Sequence, residues 1–295
     1  NNSGMSGVAE RISYVLDDRV AGVHDLSGGC IARVIGCNGE RHGPLVAKLG
    51  EGSAALSVEA SMLNDLARLT SLPEPVVLPS EPDLLVMQRL PGTTGASGTA
   101  QKHLAELLAE LHGIEAPSFG YAHDTLIGPL MQPNSSQHAW STFFGRERVL
   151  HFARLAHERG ALPQGGLESA ERLAEAMERT PGAFFAPGER PVLIHGDLWS
   201  GNFLSEGQRI TGIIDQAIYY ADREIELSFM SLFGCVGQAF YDRYHELRPI
   251  ADGFFERRRE MYQIYPLLVH AVLFGGGYGH QAAASMERTR SRALR

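Results

Sequence analysis

The chain has 295 residues, enough for one large domain or for two smaller ones with substantial cores. Hydrophobic residues make up 44% of it and charged residues 20%, a balance that is typical of folded proteins and argues against disorder. The formal net charge of −8, without a long basic run, argues against a nucleic-acid partner. The apolar stretch YPLLVHAVLFGGG is too short to span a bilayer and no signal core is evident, so we expect a cytoplasmic protein without a membrane partner.

The first third of the sequence predicts a small lobe that is mostly β. The segments VAGVHDL, CIARVIG and PLVAKLG alternate as strands do, and SGG and CNGE supply the turns between them. A long amphipathic helix follows. Its apolar stripe consists of Val58, Met62, Leu66 and Leu69. The segment VVLPSEPDLLVMQRLPG predicts two more strands, split at residues 79–82, so we expect residues 1–90 to form the first lobe.

The remaining residues, 91–295, predict a larger and mostly α lobe. The linker-like PGTTGASGT precedes HLAELLAELHGI, whose leucines have helical spacing, and residues 140–156 and 166–179 also predict helices. The segment NFLSEGQRITGIID predicts a β-hairpin that turns at Glu206–Gly207. Helical patterns alternate with breaks from Glu224 onward. We therefore expect an α+β fold with two lobes.

A loop in the predicted second lobe, just before the hairpin, carries the chemistry. In VLIHGDLWSGNFL the apolar run stops at His195, and Asp197 and Asn202 follow within seven residues. Phosphoryl transfer needs a carboxylate that orients the attacking hydroxyl and hard oxygen ligands for magnesium. Asp197 is the candidate base and Asn202 a candidate ligand. Asp215 completes the predicted metal site, because it ends the apolar run TGIID, where an unpaired carboxylate would be costly.

Each of these residues also has an ordinary structural interpretation. An Asp can cap a turn and a His can bond to backbone, and for a single residue these readings are as good as a catalytic one. An HxD pair also occurs among metal hydrolases, but no second His/Asp cluster accompanies this one and Asn202 would stay unexplained. Taken together, the residues favour phosphoryl transfer.

A nucleotide site is predicted from the first lobe. Only two of the 26 basic residues are lysines, and one of them, Lys48, ends the apolar run PLVAKL, where a cation needs a partner. Glu59 on the amphipathic helix is the favoured partner and Glu51 the alternative. Gly28 and Gly29 in the SGG turn would let backbone amides approach phosphates closely, although such a turn is by itself a weak signal.

These motifs resemble the fructosamine kinase (ketosamine 3-kinase) family. The resemblance rests on HGDLWSGNFL, GIID and YYADREIELSFMSLFG. It extends through FGYAHDTLIGPLMQPN, the W..FF.RER pattern that ends at Arg148, and MYQIYPLLVHAVLFGGGY, so it covers nearly the whole chain. That family shares the fold of aminoglycoside and choline phosphotransferases and, more distantly, of protein kinases.

The resemblance implies a bilobal protein-kinase-like fold and a use of ATP and Mg²⁺ to phosphorylate a sugar hydroxyl. The acceptor it implies is a ketosamine, on a small amine or on a glycated protein lysine, in a deglycation type of protein repair. It supports the roles given above to Asp197, Asn202, Asp215, Lys48 and Glu59. Beside the adenine it places Met87, Gln88 and Leu90. On the acceptor side it places Trp199, Tyr278 and His195, although Trp199 is equally well explained as a core residue.

Two departures from the family's sequence pattern and two rival functions remain open. Gln216 stands where the family usually has proline, and Cys30 in the glycine turn is either an oxidisable thiol able to link two chains or a reduced, half-buried one. The rivals are an aminoglycoside or choline kinase of the same fold and a catalytically silent nucleotide-binding module. We expect a monomer or a weak homodimer.

Overall fold

The computed structural model describes residues 2–26, 32–50 and 54–294. Up to residue 90 the elements in chain order are helix α1 (Asn2–Leu16), strands β1 (Val20–Asp25), β2 (Arg33–Gly39) and β3 (Gly43–Leu49), helix α2 (Ala55–Leu69) and strand β4 (Leu84–Gln88). The four strands form one antiparallel sheet in the order β1-β2-β3-β4. Lys48 lies in the interior of this sheet, paired with Val34 on one side and Leu85 on the other.

Helix α1 was not predicted, so the described part of the first lobe has two helices where one was expected. Val8, Ile12 and Leu16 recur every four residues, and the last two are buried against the sheet's apolar face. The glycines and serines at the start of this segment lower its helix propensity and mask the pattern. Burial of the apolar side chains therefore decides the structure here.

Two predictions around the end of the first lobe need correction. The segment that starts at Val76 was predicted as a strand, but Val77 makes only an isolated bridge to Met87, because nearby prolines remove ladder donors. The predicted linker is partly a strand, since β5 (Thr93–Thr94) pairs with the hairpin of the second lobe. The lobe boundary at residues 90 and 91 stays a prediction.

The second part of the chain is mostly helical. Its elements are β5, α3 (Gly98–Leu111), β6 (Thr125–Ile127), β7 (Leu130–Gln132), α4 (Trp140–Phe143), α5 (His151–Glu158), α6 (Gly166–Arg179), β8 (Val192–Ile194), β9 (Phe203–Glu206), β10 (Arg209–Ile213), β11 (Tyr219–Ala221), α7 (Glu224–Leu232), α8 (Gln238–Leu247), α9 (Arg259–Phe274) and α10 (Tyr278–Ala293). Two π-helical segments, Phe144–Leu150 and Phe254–Arg258, lead into α5 and α9. This mixture of helix and sheet confirms the predicted α+β class.

Helix α6 shows why the helical predictions succeeded. Its residues Ala170, Leu173, Ala174 and Met177 follow the i, i+3, i+4, i+7 spacing of one helix face, and all four are buried. Complete burial of a side chain such as Leu173 or Met177 contributes about 1.5–3 kcal/mol. Along the whole described chain, no helix is both long and apolar enough to cross a membrane.

Short strands position the loop that carries the chemistry. Strand β8 leads into His195 and pairs with β11, where Tyr219 lies opposite Ile194. The predicted hairpin is formed by β9 and β10, which pair through the partners Glu206 and Arg209. The residues of HGDLWSGN and the segment after β10 are thus held side by side.

Candidate active site

The predicted functional residues meet in a cleft of about 710 Å³. One wall comes from the sheet and α2, and the other from the loop after β8 and the segment after β10. The residues that line the cleft include the nine predicted side chains Lys48, Glu59, Met87, Gln88, Leu90, Asp197, Trp199, Asn202 and Asp215. Of the other predicted residues, Gly28 and Gly29 lie outside the described ranges, as do Cys30 and Glu51.

Lys48 is held by carboxylates from both walls. Its Nζ donates to Glu59 Oε1 at 2.5 Å and to Asp215 Oδ1 at 2.7 Å. Burial alone would lower the pKa of Lys48, but the two carboxylates outweigh it and raise the pKa above its usual value, so the ammonium stays charged. Burial raises the pKa of Glu59, and Lys48 opposes that rise only in part. Two carboxylates thus stabilise the charged form of Lys48, whereas Glu59 has one cationic partner, Lys48, which it shares with Asp215.

Asp197 lies at the surface of the cleft with its carboxylate partly buried. The amide nitrogen of Asn202 donates to the Asp197 carbonyl at 2.8 Å and to Asp197 Oδ2 at 3.3 Å. Burial, followed by the charge of Asp215, raises the pKa of Asp197 well above its usual value, and the bond from Asn202 opposes the rise. A carboxylate with a raised pKa is a better proton acceptor, as a general base requires.

Asn202 and Asp215 offer a suitable donor set for magnesium. The Asn202 nitrogen is engaged with Asp197, and no donor among the described residues bonds to its Oδ1. Asp215 adopts a left-handed φ of 53° beside it. An amide oxygen and a carboxylate are hard ligands, and Mg²⁺ in phosphoryl-transfer sites typically takes one or two such protein ligands together with phosphates. Within the described ranges no group of three or more His, Cys, Asp or Glu side chains forms a dedicated metal site.

The segment around Asp215 is fixed from several sides. Ile214 N donates to the Asn202 carbonyl at 2.9 Å. Gln216, at the position where the family resemblance leads us to expect proline, donates from Nε2 to the Glu59 carbonyl at 3.3 Å. The side chain of Gln216 therefore links the segment that carries Asp215 to α2, and this bond restrains the backbone after Asp215.

His195 is buried beside the cleft, and its contact with the substrate stays a prediction. It is 1% exposed and does not line the cleft. Its Nε2 donates to the Ile214 carbonyl at 2.9 Å, which leaves Nδ1 to accept from Asp197 N at 3.2 Å. The ring thus joins the loop of residues 195–202, called the catalytic loop below, to the segment that precedes Asp215.

Trp199 and Tyr278 differ in position. Trp199 is 43% exposed and lines the cleft, so its indole is not a core residue, and a Cβ at Gly201 would overlap the ring. Tyr278 is not among the lining residues. Its ring packs against His270 with centroids 5.2 Å apart. A contact between Tyr278 and the acceptor stays a prediction.

Sequence reasoning missed Glu226, the anchor of the catalytic loop. Its carboxylate accepts the backbone N–H of His195 at 3.1 Å and of Gly196 at 2.8 Å, and the ring N–H of His112 at 2.9 Å. Burial alone would raise the pKa of Glu226, but these bonds and the nearby histidines lower it. A carboxylate inside the apolar helix EIELSFMSL was the available signal, since such a group must be paired.

The chain has a bilobal fold of the protein-kinase-like class. Solved structures of aminoglycoside phosphotransferases share this fold. APH(2'')-IIa with streptomycin and ATP has a TM-score of 0.65 at 15% identity, with 98% of each chain covered. At that identity the likeness shows the fold alone.

The chain belongs to the fructosamine kinase family, whose model matches residues 6–292. It is 32% identical to a probable ketoamine kinase of Enterococcus faecium over 78% of this chain and 80% of that protein. It is 30% identical to the chloroplastic protein-ribulosamine 3-kinase of Arabidopsis thaliana over 79% and 70%, respectively. A solved structure from Thermobifida fusca, assigned as a fructosamine-3-kinase, has a TM-score of 0.84 at 30% identity and covers 97% of this chain and 98% of that one. The recognised family is thereby confirmed.

Proposed function

We propose that this protein is an ATP-dependent kinase that phosphorylates a sugar hydroxyl of a ketosamine, carried on a small amine or on a protein lysine. The observation that carries the proposal is the meeting of Lys48, Glu59, Asp197, Asn202 and Asp215 in one cleft. Family membership supports the choice of acceptor, since relatives at 30–33% identity are named ketoamine kinases and a protein-ribulosamine 3-kinase.

The nucleotide side of the cleft fits ATP. Met87, Gln88 and Leu90 provide the wall at the end of β4 for the adenine, and the Lys48 ammonium, oriented by Glu59, would bind the phosphates. Asn202 and Asp215 would hold magnesium. When bound, this ion would neutralise the charge that the phosphates carry and develop during transfer.

The residues on the acceptor side of the cleft would orient the sugar and receive its proton during phosphoryl transfer. Trp199 offers a partly exposed indole face to the sugar, and Asp197 receives the proton of the attacking hydroxyl. The hydroxyl oxygen forms a bond to the γ-phosphorus, the bond from that phosphorus to the bridging oxygen breaks, and ADP leaves with the electron pair. Asp197 is thus the catalytic base of the proposal.

ADP release in the presence of ATP and Mg²⁺ tests this function. Fructosamine, ribulosamine and erythrulosamine conjugates are compared with their parent amines, with an aminoglycoside and with choline. We expect turnover on at least one conjugate and none on its parent amine, with the phosphate ester located on the sugar by phosphorus NMR. Turnover on the aminoglycoside or choline alone, or on no acceptor at all, would overturn the proposal. A cytoplasmic location and a monomeric or weakly dimeric state stay predictions.

A further inference from the structure

Gln132, at the end of β7, is a completely buried polar residue next to the site. Its Nε2 donates to Thr125 Oγ1 at 2.9 Å and to the Ala217 carbonyl at 3.1 Å. Its Oε1 accepts the hydroxyl of Tyr265 at 2.5 Å. Both amide hydrogens and the amide oxygen are therefore used. A buried amide with all these partners in place has one favoured orientation, because turning it would leave polar groups unpaired.

Ala217, which Gln132 holds, follows the metal-ligand candidate Asp215 by two residues. Its N–H donates to the His195 carbonyl at 2.8 Å, so the residue touches the catalytic loop as well. On the other side of Asp215, Ile214 is bonded to Asn202 and to the His195 ring. Asp215 itself has a φ of 53°, a conformation that a non-glycine residue keeps only where its surroundings fix it.

Arg148, the last residue of the W..FF.RER pattern, packs near one partner of Gln132, Tyr265, and holds the chain directly after Gln132. Its guanidinium carbon lies 3.9 Å from the Tyr219 ring centre and 5.5 Å from that of Tyr265. It donates to the Pro133 carbonyl and to Asn134 Oδ1, both at 2.7 Å, just beyond Gln132 in the chain. No carboxylate among the described residues pairs with this buried cation, so carbonyl oxygens and aromatic rings stabilise its charge.

The hairpin formed by β6 and β7 also reaches the cleft. Leu126 and Gly128 line it, while Thr125 and Gln132 lie at the buried end of the same hairpin. The amide of Gln132 therefore joins a wall of the cleft to the backbone that carries Asp215.

We propose that Gln132 is a positioning residue for phosphoryl transfer, which holds the Asp215–Ala217 backbone against the catalytic loop through the Ala217 carbonyl. Tyr265 and Arg148 keep its amide in the required orientation. The inference rests on the proposed function for its kinetic consequence, whereas its structural consequence can be measured without any acceptor.

Two variants test it at different strengths. Tyr265→Phe removes only the hydroxyl that orients the Gln132 amide, and Gln132→Leu removes the amide. The matched control is Tyr262→Phe, which removes another buried tyrosine hydroxyl of α9. That hydroxyl bonds to Asp222 and Trp140, and none of these three residues lines the cleft. Comparison between the two tyrosine variants corrects for general loosening of the helix.

Hydrogen–deuterium exchange of the intact protein is the first readout. We expect peptides that cover residues 214–218 to exchange several-fold faster in Tyr265→Phe and Gln132→Leu than in the wild type and in Tyr262→Phe. Equal exchange of this segment in all four proteins would overturn the proposal, whether or not the enzyme accepts a ketosamine.

Steady-state kinetics on an accepted ketosamine provides the second readout. We expect kcat to fall roughly tenfold in Tyr265→Phe, with the KM for ATP within about twofold, since a small displacement of a reacting group costs rate before it costs nucleotide affinity. A fall in kcat only in proportion to the folded fraction, with faster exchange throughout the chain, would mean a merely structural role and would also overturn the proposal. Absence of wild-type turnover would count against the proposed function and leave the exchange result to decide this one.

Discussion

The Nζ atom of Lys48 lies 2.7 Å from Oδ1 of Asp215, although 167 positions separate the two residues in the chain. Lys48 belongs to β3 of the sheet and Asp215 follows β10 of the second part. The contact places the proposed phosphate-binding cation, Lys48, and the proposed metal-binding carboxylate, Asp215, on facing walls of one cleft. A triphosphate with its magnesium needs both charges within reach, and this arrangement supplies them.

Glu59→Gln is predicted to impair catalysis without unfolding the protein. The substitution removes the carboxylate that draws Lys48 toward α2, so the ammonium would shift toward Asp215. We expect kcat/KM for ATP to fall on the order of tenfold or more, as displacement of a phosphate-binding group does. The melting temperature should change little, since burial already raises the pKa of Glu59 and a neutral amide removes the cost of a buried charge.

Glu175→Gln is the matched control for that experiment. Glu175 pairs with Arg179 on the surface of α6 at 3.4 Å, and both side chains are about two-thirds exposed. An exposed pair of this kind contributes about 0–1 kcal/mol, so the variant should behave as the wild type. Equal kinetic losses in both variants would contradict the role given to Glu59.

Asp197→Asn tests the base directly. The amide has nearly the same shape but cannot accept the hydroxyl proton, so we expect kcat to fall by about 10²–10⁴. Affinity for ATP, measured by calorimetry with magnesium, should stay close to that of the wild type, because Asp197 does not pair with Lys48. Retention of more than half of the activity would contradict the assignment.

The pH profile of kcat/KM should show the raised pKa of Asp197. Burial and the charge of Asp215 stabilise its protonated form, and the base works only when ionised. Activity should therefore fall as the pH falls through a value clearly above 3.8, the usual pKa of an aspartate. Rates measured from pH 4.5 to pH 8.5 check this, and a profile that is flat across that whole range would contradict it.

The candidate site could largely be predicted because its polar residues interrupt apolar runs. Lys48 ends one such run, and Asp197 and Asp215 each follow another, so local sequence shows that each must be paired. The bonding of Lys48 to Asp215 and of Glu226 to His112 could not be predicted. These pairs are set by how β3, α3 and α7 are packed, which depends on burial summed over the whole chain.

The fold, too, could be predicted where local sequence decides the structure and was missed where it does not. Helix α6 was predicted to its exact bounds, since the apolar spacing and the flanking residues agree. Helix α1 was missed because weak helix formers begin it, and the strand expected near Val77 is reduced to a single bridge. For α1 tertiary packing overrides local propensity, whereas near Val77 the neighbouring prolines remove the donors that a strand ladder needs.

Acidification should destabilise the protein through His112 and His195. Both rings are buried, and burial lowers the pKa of each below 6.5. Because the unfolded chain binds these protons first, the stability they confer is complete above pH 6.5 and is lost as the pH falls toward the lower folded-state values. Each histidine that must stay neutral contributes a slope of up to about 1.4 kcal/mol per pH unit.

Urea denaturation at several pH values between 5 and 7.5 measures that slope. Other partly buried histidines, such as His103, His151 and His270, also have a lowered pKa and add to the slope. The variant His112→Gln therefore isolates the contribution of His112 to the slope. The variant should be less stable at pH 7.5, since Glu226 and Tyr244 lose a partner, but its stability should depend less steeply on pH. An unchanged slope would show that His112 does not contribute.

Gly196→Ala should disrupt the catalytic loop through close packing as well as backbone strain. Gly196 has a φ of 88°, and a Cβ there would overlap the carbonyl oxygen of Ala217 and lie 2.8 Å from its carbon. Gly188→Ala is the matched control, because its φ is 77° but no atom lies within 4 Å of the added Cβ. Backbone strain alone costs about 1–3 kcal/mol at such positions and is common to both variants.

The difference between the two variants therefore measures the close approach of Gly196 to Ala217. Gly188→Ala should lower the melting temperature modestly and retain the kcat of the wild type. Gly196→Ala should lose at least about tenfold in kcat even where it is fully folded, because relief of the overlap must move either the loop that carries Asp197 or the segment that follows Asp215. Equal kcat in the two folded variants would mean that the contact between Gly196 and Ala217 does not determine the geometry of the site.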